Sequence, residues 1–149
     1  MFNEDGMTEE AKRQLEQKDF EKIEDGFSTA QEKIHDNAVK KGFWDELKDY
    51  TGIEWTYEQR TLEVQERVNV GEKLALIHSE ISEALEAARD DILKPDKHCP
   101  KFTNFEIELA DAIIRCLDTG AGFGFDLGAA VVAKMKFNAT RPRKHGKRF

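Results

Sequence analysis

Proline, cysteine and long apolar runs are scarce in this sequence, and each scarcity excludes a class of protein. The three prolines stand at positions 95, 100 and 142, so long segments are free to be helical. Cys99 and Cys116 lie 17 positions apart, a spacing that fits neither a zinc site nor a redox pair, so both are expected to be reduced thiols. No apolar run approaches the roughly 18 residues of a membrane span, and the acidic N-terminus does not resemble a signal peptide. The sequence therefore predicts a cytoplasmic protein with no membrane partner.

Strand patterns are almost absent as well. No stretch alternates apolar and polar residues between hairpin turns, and the glycines at 120, 122 and 124 lack the spacing of a phosphate-binding loop. Hydrophobic residues make up 39% and charged residues 36% of the chain, which is typical of a well-solvated globular domain. These features predict an all-α fold, a bundle of four to five helices.

The helices can be placed from capping residues and apolar spacing. Residues 1–27 are so rich in charge that we interpret them as an N-terminal extension, marginally helical or disordered, ahead of a domain at 28–149. Ser28 or Thr29 is predicted to cap the first domain helix, and Gly42 to end it. Further helices are predicted from about Tyr57, at 71–91, at 103–119, and from an Asp126 cap to about residue 138.

The two strongest helices each carry an apolar stripe that is predicted to face a core. The stripe residues recur every three to four positions, as one face of a helix requires. They are Leu74, Ile77, Ile81, Ala84, Leu85 and Ala88 on the first helix, and Phe105, Ile107, Leu109, Ala112, Ile113, Cys116 and Leu117 on the second.

Each of these helices also carries a pair of carboxylates three residues apart, Glu80 with Glu83 and Glu108 with Asp111. Residues at this spacing are neighbours on a helix surface, and both pairs border the apolar stripes. Packing of the stripes should therefore bring four carboxylates together, a costly arrangement that a divalent cation relieves. Oxygen-only ligands favour Mg²⁺, Mn²⁺ or Ca²⁺. The alternative interpretation is ordinary helix-surface charge.

Two nearby residues refine this hypothesis. Di-iron bundles use Glu-x-x-His pairs, but His78 lies two residues before Glu80, so the pattern argues against an iron oxidase. Asp118, seven residues after Asp111, either assists the carboxylates or faces solvent.

The end of the chain has the opposite charge from the rest. Residues 134–149 contain seven Lys or Arg and no acidic residue, whereas the other 133 residues carry 16 basic and 30 acidic side chains. Lys134 and Asn138 share a helix face and Arg141 follows, a set that suits phosphate binding. A solvated basic end, able to contact nucleic acid, is the alternative. Trp44 offers a base-stacking surface, although core packing is the commoner role of tryptophan. His35 is a candidate ligand contact, and a surface histidine or a hydrogen-bonded core histidine is the equally weighted alternative.

Four separated segments resemble MazG-like nucleoside triphosphate pyrophosphohydrolases. Residues 74–87, LALIHSEISEALEA, resemble the first metal-binding helix of that family, and residues 106–118, EIELADAIIRCLD, resemble the second. Residues 134–149, KMKFNATRPRKHGKRF, resemble the closing motif, and residues 40–45, KKGFWD, the end of the first helix.

This resemblance implies a member of the all-α NTP pyrophosphatase superfamily that hydrolyses nucleoside triphosphates to monophosphates and pyrophosphate for nucleotide-pool house-cleaning. It implies Mg²⁺, with Mn²⁺ as a substitute, and a homodimer or homotetramer that binds no nucleic acid. The implied metal ligands are Glu80, Glu83, Glu108 and Asp111; the catalytic residues are Glu83, Lys134 and Arg141; and the substrate-binding residues are Lys134, Asn138, Arg141, Lys147, Trp44 and His35.

Two other functions stay open from the residues alone. A non-catalytic helical module that senses nucleotide or metal would carry the same motif. A nucleic-acid adaptor would use the basic tail, but the acidic remainder of the chain disfavours it.

Overall fold

The computed structural model describes residues 9–50, 53–54 and 56–141, and over these ranges the protein is all-α. It contains five α-helices, a 3-10 helix and no β-strand within the described residues. The α-helices are α1 (Glu9–Lys40), α2 (Tyr57–Arg67), α3 (Val70–Asp91), α4 (Asn104–Gly122) and α5 (Leu127–Ala139), and the 3-10 helix is Asp45–Tyr50. The all-α prediction is confirmed.

The starts of the later helices follow from local capping. Thr56 and Thr103 each form a capping box, in which the threonine side chain accepts from the N3 backbone and the N3 side chain accepts from the cap residue. Asn69 caps α3, and Asp126 caps α5 by accepting from the Ala129 N–H at 2.9 Å. The predicted Asp126 cap is therefore confirmed, and the predicted boundaries of α3 and α5 agree with the structure to within one residue.

The predicted helix start at Ser28 or Thr29 is wrong, because α1 runs through both residues from Glu9 to Lys40. The segment contains no proline, and its only glycine, Gly26, costs about 1 kcal/mol in a helix interior, too little to break so long a helix. The predicted end is confirmed: Gly42 has φ 84° and donates to the Val39 carbonyl.

The described helices belong to two compact units. One comprises residues 31–125, and the other comprises residues 1–30 together with 126–149, so that α1 contributes to both. In the larger unit Trp44, Val64, Val68 and Phe123 form the buried core. In the smaller unit Val132 is buried and the Lys136 ammonium lies 4.9 Å from the Phe20 ring centroid.

Much of the predicted core stripe is exposed in this chain, and that prediction is wrong for the single chain. Helices α3 and α4 make the most extensive helix contact, with buried Glu80 and Ala84 on α3 and buried Ala112 and Leu117 on α4. Leu74, Ile81 and Leu85 are about half exposed (51%, 49% and 50%). On α4, Leu109, Ile113 and Cys116 are also exposed. The helices therefore bury only a few side chains between them, two of them alanines, and leave many of their larger apolar side chains exposed.

Among the described residues, no single helix combines the length and apolar character needed to cross a membrane.

Candidate metal centre and adjoining groove

The pairing of α3 with α4 brings three of the four predicted carboxylates together. Glu80, Glu83 and Glu108 each place a carboxylate oxygen within 4.8 Å of the others. Glu80 is buried, Glu108 half-buried and Glu83 exposed. We call these three residues the acidic cluster. Their convergence follows from the i, i+3 spacing on α3 and the close approach of α4, as the sequence predicted.

Electrostatics shows how crowded the acidic cluster is. Burial raises the pKa of Glu108 above its ordinary value, and the charges of Glu83 and Glu80 raise it further. Burial likewise raises the pKa of Asp111, with a further contribution from the charge of Glu80. Asp111 therefore borders the acidic cluster electrostatically, although it does not belong to the group of three. An oxygen-only donor set under this mutual repulsion fits a hard divalent cation.

Glu83 is the most accessible member of the acidic cluster. Its carboxylate accepts a hydrogen bond from the Ser79 hydroxyl at 3.1 Å, one turn earlier on α3. Its exposure leaves it accessible to solvent water, and the catalytic role assigned to it stays a prediction.

Arg115 partly neutralises the acidic cluster, and the sequence interpretation missed it. Its Nε donates to Glu80 Oε1 at 2.5 Å, and the Glu80 side chain is only 8% exposed. Arg115 stands four residues after Asp111, so it shares that face of α4, and this spacing is the signal that could have identified it. The pair supplies the charge compensation that a buried carboxylate needs.

A groove of about 490 Å³ adjoins the acidic cluster within the larger unit. Asp111 and Arg115 line it at the end nearest the cluster, since both interact with Glu80. The other lining residues come from α1, the turn after it, α3 and α4. They are Lys33, Ile34, Asn37, Ala38, Phe43, Lys73, Leu76, Ile114, Asp118 and Thr119.

His35 and Trp44 meet at Asp118 in the wall of this groove. The Trp44 indole N–H donates to Asp118 Oδ1 at 2.9 Å and to Oδ2 at 3.1 Å, and His35 Nδ1 lies 2.8 Å from Oδ1. Trp44 is 4% exposed, and its ring packs so tightly on Gly122 that a Cβ there would come within 1.9 Å of it. Trp44 therefore holds a core position and supports the groove wall through Asp118. The substrate-binding roles of His35 and Trp44 stay predictions.

The predicted phosphate-binding residues lie on α5 and just after it, in the smaller unit. Lys134, Asn138 and Arg141 are exposed. The Lys134 ammonium lies 4.9 Å from the Phe137 ring centroid and the Arg141 guanidinium 5.9 Å from it. Lys147 falls outside the described residues. The roles assigned to these four residues stay predictions.

The chain matches no protein-family model, and neither curated proteins nor solved structures show significant similarity to it. The likeness of its four motifs to MazG-like enzymes therefore stays an expectation from the sequence.

Proposed function

We propose that this protein is a Mg²⁺-dependent nucleoside triphosphate pyrophosphohydrolase of the MazG-like type, with a role in nucleotide-pool house-cleaning. The observation that carries the proposal is the acidic cluster beside a groove of about 490 Å³, joined to it by Asp111 and Arg115. A pocket of this size falls within the usual range for small-molecule sites. The acidic cluster offers cation ligands, and the groove beside it is lined by both apolar and polar side chains, a combination that suits the two halves of a metal-bound nucleotide.

In this proposal Glu80, Glu83 and Glu108 hold Mg²⁺, with Asp111 beside them. Bound there, Mg²⁺ would offset phosphate charge and lower the pKa of a water molecule. Glu83 accepts the proton of the water that attacks the α-phosphorus, because it is the exposed member of the cluster. The new P–O bond forms as the bond to the bridging oxygen of the β-phosphate breaks, so the products are a nucleoside monophosphate and pyrophosphate.

Cations would stabilise the negative charge that develops on the departing pyrophosphate. Arg115, which lines the groove and pairs with Glu80, would contact the phosphates if Mg²⁺ took over its role at Glu80. Lys134 and Arg141 are proposed for the β- and γ-phosphates, with Asn138 and Lys147 as further contacts.

The proposal includes a homodimer or homotetramer. The many exposed apolar residues of α3 and α4 support it, because large apolar surfaces of soluble proteins commonly mark contacts between proteins. The cytoplasm, where nucleotide pools are found, is the proposed location.

Pyrophosphate release tests the function directly. The panel contains canonical and damaged ribo- and deoxynucleoside triphosphates, each assayed with Mg²⁺, with Mn²⁺ and with EDTA. We expect metal-dependent release that falls at least about 100-fold in Glu83→Gln, because both a ligand and the base are lost. Glu86→Gln is the matched control, since Glu86 is an exposed residue of α3 that pairs with Arg89.

Two results would contradict the proposal. Absence of pyrophosphate across the panel, from folded protein that still binds nucleotide and Mg²⁺, would favour a sensor module. Equal losses in Glu83→Gln and Glu86→Gln would remove the acidic cluster from the reaction.

A further inference from the structure

Asp118 is a largely buried carboxylate that the proposed hydrolysis does not use. Its side chain is 14% exposed, and it lines the groove. It stands on α4 two turns beyond Asp111, outside the acidic cluster. A carboxylate in such surroundings is costly unless its hydrogen bonds are satisfied, so its partners indicate its role.

Its partners hold the Asp118 carboxylate in one orientation. Oδ1 has two contacts, from the Trp44 N–H and from His35 Nδ1, whereas Oδ2 has only the longer Trp44 contact among the described residues. The indole is itself fixed, because it packs on Gly122 and the Lys73 ammonium lies 4.0 Å from its ring centroid. Oδ2 therefore keeps most of its capacity to accept a hydrogen bond. Because the carboxylate is already held in one orientation, little conformational entropy is lost when a ligand binds to it.

The groove that Asp118 lines has apolar walls that suit a flat ring. Ile34, Ala38, Leu76 and Ile114 contribute aliphatic surface, and Phe43 contributes an exposed aromatic ring. Within such walls a carboxylate oxygen discriminates by hydrogen-bond polarity. It stabilises an N–H donor, and it repels a carbonyl oxygen that would occupy the same place with no proton between the two acceptors.

We propose that Asp118 makes this site selective for nucleobases with an exocyclic amino group, cytosine and adenine, over bases with a carbonyl at the equivalent position, uracil and hypoxanthine. The inference rests on the proposed function, because it takes the groove to hold the base of the nucleotide whose phosphates lie at the acidic cluster. Cytosine and uracil have nearly the same shape, so shape alone cannot produce the preference.

Two matched substrate pairs test the inference: dCTP against dUTP and dATP against dITP, compared by kcat/KM for pyrophosphate release. We expect the amino-bearing member to be favoured at least about tenfold in each pair, the scale of one hydrogen bond to a buried charge.

In Asp118→Asn the carbonyl still accepts from Trp44, while the amide is able to donate to a base carbonyl. The preference should fall to within about threefold or reverse. Asp36→Asn, an exposed change beside His35, should keep it.

Binding of nucleoside monophosphates separates this inference from the function. Calorimetric titration with dCMP and dUMP in EDTA requires neither metal nor turnover. Tighter dCMP binding that Asp118→Asn abolishes would support the role of Asp118 even if no triphosphate were hydrolysed.

Metal-dependent hydrolysis with equal kcat/KM within both pairs would overturn the inference and leave the function standing. If circular dichroism shows that Asp118→Asn is unfolded, the wild-type ratios decide, and ratios near one overturn the inference. Absence of both hydrolysis and monophosphate binding would also overturn it.

Discussion

At the scale of single residues, Glu108 shows how the acidic cluster lowers the stability of the folded chain when no metal is bound. Its pKa is raised by burial first and then by Glu83 and Glu80, so the folded state favours the protonated carboxyl. A group whose pKa is higher in the folded than in the unfolded state stabilises the fold below its ordinary pKa, and this contribution is lost as the pH rises through the raised pKa. At neutral pH the metal-free protein therefore bears the cost of a partly desolvated Glu108 carboxylate beside two others, which the Arg115–Glu80 pair offsets only in part.

We expect Glu108→Gln to raise the Tm of the metal-free protein at pH 7 by about 2–4 °C, a change on the order of 1 kcal/mol for a domain of this size. The gain should shrink as the pH falls through the raised pKa of the wild-type Glu108 carboxyl, and it should be gone below the ordinary pKa of glutamate. Mg²⁺ should raise the Tm of the wild type more than that of the variant. Thermal melts across pH, with and without Mg²⁺, provide the measurement, and a gain independent of pH would contradict this explanation.

Arg115 is the second residue whose effect can be measured without turnover. Arg115→Met should destabilise the metal-free protein by about 1–2 kcal/mol, less than for a fully buried pair because the guanidinium is partly exposed. The same change should tighten Mn²⁺ binding several-fold, since it removes a positive charge that competes for Glu80. Urea unfolding and titration of the Mn²⁺ electron paramagnetic resonance signal measure the two effects.

Arg89→Met is the control for Arg115, because Arg89 pairs with Glu86 on the exposed surface of α3. It should change stability by less than about 0.5 kcal/mol and leave Mn²⁺ binding unaltered. Weaker Mn²⁺ binding in Arg115→Met would mean that Arg115 organises the cluster for the cation and does not compete with it.

At the scale of elements, the contact between the end of α4 and the turn after α1 depends on one glycine. A Cβ at Gly122 would meet the Trp44 ring at 1.9 Å, far below any real contact. Gly122→Ala should therefore cost more than about 2 kcal/mol of unfolding free energy through overpacking. Gly26→Ala on α1 is the control, because no described atom lies within 4 Å of the added methyl group and the helix gains propensity. Equal effects of the two changes on urea unfolding would contradict the close packing.

Local signals determined most of the element boundaries. The helices from Tyr57 onward could be placed from apolar spacing and, for α5, from the Asp126 cap. The structure adds Thr56, Asn69 and Thr103 as caps of the other three helices, each acting within three residues of itself. The start of α1 could not, because Ser28 and Thr29 are good caps that a longer helix tolerates in its interior. The exposure of the apolar stripe on α3 could not be predicted either. An apolar helix face has the same sequence pattern whether it is covered by this chain or by another one.

In the candidate site, too, local features could be predicted from the sequence and long-range contacts could not. The convergence of Glu80, Glu83 and Glu108 needed only helix periodicity and one helix pairing. The hydrogen bonds of Asp118 join residues 74 and 83 positions apart, to Trp44 and His35, so no local pattern contains them. Asp118 could therefore be named from the sequence only as a residue that either assists the carboxylates or faces solvent.

At the scale of the whole molecule, the uncovered face of α3 and α4 predicts self-association. Light scattering coupled to size-exclusion chromatography should give a dimer or tetramer mass, and Ile81→Asp should shift it towards the monomer, because a charge in an apolar interface is desolvated without a partner. Leu93→Asp is the control, since Leu93 is 75% exposed after the end of α3. A wild-type monomer at about 100 μM, well above typical dissociation constants of stable dimers, would contradict the proposal.

The hydrogen bond between Trp44 and Asp118 has an optical consequence. Indole emission responds to nearby charge, and Trp44 has a carboxylate on its N–H and an ammonium over its ring. The chain has one other tryptophan, Trp55, so replacing that residue with phenylalanine would leave Trp44 as the sole emitter. The protein then contains its own fluorophore directly behind Asp118, and the arrival of a ligand at Asp118 could be followed in real time without any attached dye.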